Sequence, residues 1–388
     1  MSEIGNVFAE MRAREFDWRG PRIYLNAASF GPLPGRAHRA ITEFNERRWQ
    51  AALTDPDLVA GLIAARASAA RLINAQSTEI ALAPNTNVGV NIGATAALKL
   101  AGSRRVIVVS DREFPANVYP WLALEREGFH IEILPTAANG WPREDAMLER
   151  ISQGDVAAAS VSFVQFASGF RADLRAIGQA CRAQETLFVV DAIQGLGAVP
   201  LDVRDCGCDI LACGGQKWLC GPWGSGFTYI RQELITQFEP LLPGWISFNA
   251  TQDFTKLTDY RYEMLDDARR FETGSLGFQD YLGLNESLEL LLELGTPQTW
   301  QHIQRLQEPI IEFARARDIQ IISDLSPERR SGILCIRPEP ADKVYEALAA
   351  ADIRCALREN SIRISPHWYN NQEDVARFLE VLEGALQR

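Results

Sequence analysis

Three short apolar runs separated by glycine-rich turns lie between residues 187 and 231, and their spacing leaves few folds open. Leu187-Phe188-Val189-Val190 has the length and β-branched content of a strand buried on both faces, and it ends on Asp191. Asp209-Ile210-Leu211-Ala212-Cys213 reads the same way and breaks at Gly214-Gly215. Gln216-Lys217-Trp218 follows, then a loop holding Gly221, Pro222, Gly224 and Gly226, then a third run, Phe227-Thr228-Tyr229-Ile230. An acid at the end of one strand and a lysine just past another, among glycines, mark the rim where open α/β sheets place ligands.

Catalysis with pyridoxal phosphate (PLP) calls for such a pair. An aldehyde cofactor is held as a Schiff base on a lysine amine, and its pyridine nitrogen needs a carboxylate to stay protonated so that the ring draws electrons. Lys217 suits the first task and Asp191 the second. The competing reading is a surface lysine and a strand-end acid that caps the next helix. The scarcity of lysine weighs against it. Of 39 lysines and arginines only four are lysines (Lys99, Lys217, Lys256 and Lys343), and Lys217 is the one that follows a buried strand into a glycine loop.

Bulk properties narrow the partners. With 388 residues, 47% of them hydrophobic, the chain buries a large core and is expected to form one large and one smaller domain. A net charge of −11 argues against nucleic acid or an anionic membrane, which need clustered cations. No apolar run approaches the ~18 residues of a membrane span. The first 16 residues are mixed in charge without a signal-peptide core, so a cytoplasmic location is expected. The seven cysteines do not make zinc-ribbon spacing, even at Cys206-Gly207-Cys208, and no metal site is expected.

Strand, helix, strand alternation through the first 230 residues implies a mainly parallel sheet between helices. Strands are expected at residues 80–83, 106–109, 130–135 and 156–164, and helices at 37–73 (broken near Pro56), from about Val88, through Trp121, at 143–152 and at 171–184. Residues 243–263 lack periodicity and read as an irregular loop. Helices at 278–294, 299–316 and 341–350 and strands near 319–323, 332–337, 353–357 and 361–364 follow. A last helix has Asn371 as its N-cap and Val375, Phe378, Leu379, Leu382 and Leu386 on one face. The expected divisions are an N-terminal arm (1–20), a large domain (21–277), and a linking helix with a small C-terminal domain (278–388).

The runs VVDAIQGLGAVPLDV and GGQKWLCGPWGSGF resemble the class V aminotransferase group of fold-type I PLP enzymes, and matching motifs extend from about Tyr24 to Asn370. The group includes cysteine desulfurases, selenocysteine lyases, kynureninase, isopenicillin N epimerase-like proteins and several transaminases. The resemblance implies an α/β fold-type I architecture with a mainly parallel seven-stranded sheet and a smaller α+β domain. It also implies an antiparallel strand at residues 226–230 and a homodimer with shared active sites.

Site residues follow from the same resemblance. Asn26 and Ala28 fall in the opening motif that lines the substrate mouth. Thr86 and Asn87 stand where the family grips the PLP phosphate, a task that a helix N-terminus supports physically; ordinary helix capping remains the alternative. Phe114 would stack on the pyridine ring, or serve as a core phenylalanine. Gln165 reaches for the cofactor's phenolic oxygen, and Gln194 lies one turn past Asp191. Gln216 replaces a histidine common in relatives, and Gly214 replaces the desulfurases' phosphate-binding serine. Arg270-Phe271-Glu272-Thr273-Gly274-Ser275 resembles a signature whose hydroxyl, here Ser275, reaches the neighbouring subunit's phosphate. Arg363 matches the arginine that forks onto the substrate carboxylate, a bidentate task, with Arg358 as second choice. His367 is expected to position its turn rather than carry protons.

The reaction is then expected to be transamination of a small amino acid, with a keto acid as possible second substrate and a lyase or epimerase as alternatives. A binding protein that keeps the fold is the non-enzymatic rival. A desulfurase needs a mobile, exposed thiolate, whereas Cys355 lies in a run that alternates like a strand.

Overall fold

The computed structural model of the chain describes residues 3–18 and 22–387. The expected arm contains a helix over Glu3–Glu15, and the expected boundary at residues 20/21 lies outside the described residues. In chain order the strands are β1 (Ile23–Tyr24), β2 (Ile80–Leu82), β3 (Val106–Ser110), β4 (His130–Leu134), β5 (Val156–Ser162), β6 (Leu187–Asp191), β7 (Ile210–Gly214), β8 (Gly226–Ile230), β9 (Gln320–Ile321), β10 (Leu334–Arg337), β11 (Ile353–Arg354), β12 (Ala356–Arg358) and β13 (Ser361–Ile364).

Seven of them form the central sheet, in the order β2-β8-β7-β6-β5-β3-β4. Pairing is parallel except at β8, which runs antiparallel to β7 and β2. Every residue of β6 and β7 is buried, as expected of parallel strands covered on both faces. Helix Thr86–Leu100 covers one face through Val90, Ala94 and Ala97, which share a core with Ile107, Val109 and Val189. Its glycines set the distance. A Cβ on Gly89 would lie 2.5 Å from the Ala212 Cβ, and one on Gly93 would lie 2.9 Å from Val189. That close approach brings the helix N-terminus to the carboxyl rim of β7. Helices Glu144–Ile151 and Leu174–Ala183 cover the other face through Met147, Ile151, Leu174 and Ile177.

Helix Phe278–Leu294 packs against Gly35–Trp49 and Asp55–Leu72. Beyond it, β9, β10, β12 and β13 form an antiparallel sheet in the order β12-β13-β10-β9. Helices Thr296–Ala316, Ala341–Ala350 and Gln372–Leu386 pack around it over Leu306, Ile336, Leu348, Ile362 and Phe378. Asn371 caps the last helix, its side chain accepting the Asp374 N–H at 2.9 Å. β1 pairs in parallel with β11, so the segment after the arm joins the C-terminal part of the chain.

Several expected boundaries move. β5 stops at Ser162, two residues before the end of its apolar run. The helix expected from Val88 begins at Thr86, because the Asn85 side chain accepts the Val88 N–H and caps it earlier. The helix expected through Trp121 is broken into Pro115–Asn117 and Tyr119–Leu122, as two prolines restart the chain. Residues 243–263 are irregular apart from two 3-10 turns. Among the described residues no helix is long and apolar enough to cross a membrane.

Candidate active site

Asp191 and Lys217 meet at the carboxyl ends of adjacent parallel strands, Asp191 being paired with Ala212 five residues before the lysine. Asp191 is buried and its Oδ1 accepts the Ile193 N–H at 3.0 Å. Burial pushes its carboxyl up to about 6, opposed by that N–H and by the charge on Lys217. Burial likewise pulls the Lys217 amine down to about 8, with Asp191 resisting and Arg363 adding to the fall. The Lys217 Nζ lies 5.4 Å from the centroid of the Phe114 ring. Phe114 is 44% exposed and meets Phe166 edge-on at 5.5 Å, which removes the alternative of a core phenylalanine.

Trp218 fixes the lysine loop. It is fully buried, its indole N–H donates to Gln194 Oε1 at 3.0 Å, and its carbonyl meets His367 Nε2 at 2.7 Å. A Cβ on Gly332 would lie 2.6 Å from its ring, so a glycine is needed beside it. Gly31 is equally constrained: its N–H donates to the Gln216 carbonyl at 2.8 Å, and a Cβ would come within 2.3 Å of the Lys217 carbonyl. Burial drives the His367 ring down to about 4. The neutral ring uses Nε2–H on the Trp218 carbonyl, so His367 positions the loop. Gln194 does the same from the other side, its Nε2 donating to the Ala28 carbonyl at 3.1 Å. Both ends of its amide are thus engaged within the chain.

Beside β7, Asn85 serves as the helix cap and leaves Thr86 and Asn87 at the first helical positions. The buried Thr86 hydroxyl accepts the Gly214 N–H at 2.9 Å and keeps its own hydrogen to donate. Asn87 is exposed. The glycine at 214 and the glutamine at 216 form one unit, since a Cβ on Gly214 would lie 2.5 Å from Gln216 Oε1. Gln216 occupies the space that a serine at 214 would need, and its Oε1 is buried without a partner among the described residues. Ser275 is exposed on a bend, and none of the described residues bonds to its hydroxyl.

Arg363 enters from β13. It is 2% exposed, with Nη1 donating to the Phe166 carbonyl at 3.1 Å and Nη2 to Ser29 Oγ at 2.9 Å. Its Nε has no partner, and no carboxylate pairs with it among the described residues. Burial lowers the guanidinium to about 10. Ser29 passes the contact on to Asn26, donating to Oδ1 at 2.8 Å, and the Ala28 N–H donates to Ser365 Oγ at 3.1 Å. Arg358 is exposed on β12, bonded to the adjacent Leu357 carbonyl, and acts on Lys217 only through its charge. The Gln165 side-chain amide oxygen accepts from the Ser168 hydroxyl, and the residue lines a cavity with Arg112 and Arg337.

A family model described as "Aminotransferase class-V" matches residues 57–378. The chain belongs to the class V aminotransferase family. This family is PLP-dependent. Curated relatives include an uncharacterized aminotransferase, YcbU, of Bacillus subtilis, 28% identical over 81% of each chain. A probable cysteine desulfurase of Methanothermobacter thermautotrophicus is also 28% identical, over 93% of this chain and 94% of that one. The fold is shared with the cysteine desulfurase CsdA of Escherichia coli at a TM-score of 0.83 and 22% identity, covering 98% of both chains.

Three class V site elements here were not legible as such in the sequence. Ser29 belongs to a turn that reads only as small residues, and its bond to Arg363 spans 334 positions. Trp218 reads as one apolar residue among several beside the lysine. The Gly214–Gln216 exchange of space needs coordinates to be seen. All seven cysteines are buried, and burial pushes the Cys355 thiol up to about 12, in the core of the C-terminal sheet.

Proposed function

We propose that this chain is a PLP-dependent aminotransferase of small amino acids. The carrying observation is Arg363, a buried guanidinium whose Nε has no partner and which pairs with no carboxylate among the described residues, on the rim that holds Lys217 and Asp191. A buried unpaired charge is costly and is retained where a ligand supplies the counter-charge. The residues present fit PLP. Lys217 offers the amine, and Asp191 a buried carboxylate with one oxygen free of backbone donors. Thr86, Asn87 and Gln216 lie where the phosphate would be held, and Phe114 presents an exposed ring over the lysine. When bound, PLP supplies an aldehyde that condenses with amines and a pyridinium that draws electrons from the substrate α-carbon.

The chain's own residues do the rest. Arg363, braced by Ser29 and the Phe166 carbonyl, grips the substrate carboxylate and sets the α-carbon toward Lys217. An amine titrating at about 8 is neutral in about a tenth of molecules at pH 7, which suits it to take and return the α-proton. Trp218, Gln194 and His367 keep the lysine loop in place.

Sulfur transfer to a protein thiol is disfavoured because every cysteine is buried. Ser275 is read as reaching the cofactor phosphate of a second copy of this chain. In support, Trp245, Tyr260 and Tyr262 leave 44–88% of their surfaces exposed in the neighbouring segment. The seven unpaired cysteines fit a reducing cytoplasm. We read the chain as a large unit over 21–277 and a smaller one over 278–388, with β1 crossing to the latter.

Product formation with and without a keto acid tests the reaction. Turnover that needs the acceptor upholds transamination. Pyruvate or alanine released without it identifies a lyase instead. Arg363→Gln should raise KM for amino acids sharply while leaving PLP bound; equal loss with an amine lacking a carboxylate would remove Arg363 from its role.

A further inference from the structure

Beside the Arg363 site lies a second cavity of about 200 Å³, lined from one side by Arg112 and Gln165 and from the other by Gln320, Arg337, Glu359 and Ser361. None of these belongs to the Lys217 machinery. Two arginines face it, and neither pairs with a carboxylate among the described residues. Arg337 spends its donors on neutral acceptors: Ser361 Oγ at 3.2 Å, the Glu359 carbonyl at 3.3 Å and Gln320 Oε1 at 3.4 Å. Three acceptors leave two of its five N–H groups free. Arg112 makes no side-chain hydrogen bond among the described residues and is held at φ 58°, a left-handed conformation that costs a non-glycine residue energy. Glu359 is the one acidic residue in the lining, against two arginines.

Gln165 adds a directional donor. Ser168 Oγ accepts the Phe170 N–H at 3.2 Å and donates its own hydrogen to Gln165 Oε1. The remaining end, Nε2, is buried with no partner among the described residues, in a residue 2% exposed. A buried donor left unmade is costly unless a ligand accepts from it.

Two stretches of chain link the cavity lining to the Arg363 site. Ser361 and Arg363 are two residues apart on one face of β13, a spacing of about 6–7 Å. Gln165 precedes Phe166, whose carbonyl holds Arg363. We propose that this cleft binds a carboxylate, with Arg112, Arg337 and Gln165 Nε2 as donors, and that it selects dicarboxylic amino or keto acids whose α-carboxylate sits on Arg363. The inference rests on the reading of Arg363 as the α-carboxylate anchor. The same donors would also take a free carboxylate acting as an effector, and the test separates the two sources.

The test is calorimetric binding of glutarate and butyrate to the PLP-loaded protein, with cofactor absorbance as a check on the site. The wild type should bind glutarate at least about tenfold more tightly than butyrate. Arg337→Gln and, independently, the exposed Arg112→Gln should each erase that preference while keeping butyrate affinity and cofactor absorbance. Loss of both ligands in Arg363→Gln places the second carboxylate of one molecule in the cleft. Glutarate binding that survives Arg363→Gln but not Arg337→Gln assigns the cleft to a separate effector. Equal affinity of the wild type for both acids overturns the cleft proposal and leaves Arg363 standing. Butyrate binding unchanged in Arg363→Gln removes the anchor instead.

Discussion

Residues 214–226 and 243–277 are both long and largely irregular, yet they are held by opposite means. The first is closed on itself and on the core. Trp218, Leu219 and Cys220 are buried, Gly215 and Ser225 bond across the loop at 2.7 Å, and Ser287 Oγ ties the Cys220 carbonyl to the helix behind it at 2.9 Å. The second is anchored near its end, where Ala268 and Phe271 join the core and the Glu272 carboxylate accepts from Arg66 at 2.6 Å and from the Leu82 N–H at 2.9 Å. Away from that anchor it leaves Trp245, Tyr260 and Tyr262 44–88% exposed. A clustered apolar surface of this kind normally meets a partner. The lysine loop is completed by its own chain, whereas the later segment exposes large side chains and the Ser275 hydroxyl, which bonds to none of the described residues.

The largest effect should come from the lysine itself. Lys217→Ala should lower turnover by at least about 10⁴, the upper range for a positioned general base. Borohydride treatment of the loaded wild type should fix PLP on the peptide containing Lys217. Label on Lys256, which is exposed in the second segment, would reverse the comparison.

Next in size is the brace under the lysine. Trp218→Ala should cost about 3–5 kcal/mol of stability, as for other fully buried aromatics cut to alanine. It should also loosen Gln194 and His367, which both bond to Trp218. Chemical denaturation measures the first effect and cofactor retention the second. A variant as stable as the wild type would show that the loop does not depend on its own packing.

How much of this was legible in advance differs between the two segments for a physical reason. β6, β7 and the lysine loop are local: apolar runs, an acid and glycines within 45 residues define them. Helix Phe278–Leu294 and the Asn371 cap were equally readable from periodicity and side-chain chemistry. What escaped depends on contacts between distant parts of the chain. The pairing of β1 with β11 joins positions 330 apart, and two-residue strands carry no periodic signal. Gln165 was read toward the cofactor because its strand ends at the right rim, and its bond to Ser168, three residues on, carries no sequence signal of its own.

Ser275→Ala tests the outward-facing segment. If a second copy receives this hydroxyl at its phosphate, the variant should lose about 1.5–3 kcal/mol of PLP affinity, the range for a hydrogen bond to a charged group. The isolated protein should sediment as a dimer. A monomer that keeps its cofactor would break the contrast between the two segments at once.

The smallest effect is a shift in pH dependence, and it reports how tightly the chain encloses Lys217. Only the neutral amine attacks an aldehyde, so loading of PLP into the cofactor-free protein should accelerate about tenfold per pH unit while the amine is mostly protonated. With the amine titrating at about 8 the rate should level off just above that pH, whereas an ordinary lysine would keep accelerating to about 10.4. The sign of the Asp191 contribution is fixed by its charge: it raises the amine, against the larger lowering by burial. Asp191→Asn should therefore move the plateau to lower pH while slowing later turnover. Apo-protein stability should change in step. The folded amine titrates below the unfolded one, so the unfolded chain holds more protons between about pH 8 and 10.4 and this contribution to stability rises across that window. Stopped-flow absorbance across pH 6.5–10 (roughly the span between the ordinary pKa values of histidine and lysine) measures the loading limb. A rate still climbing at the upper end would mean that Lys217 is as open to water as the exposed lysine of the second segment, and that the packing around Trp218 does not set its chemistry.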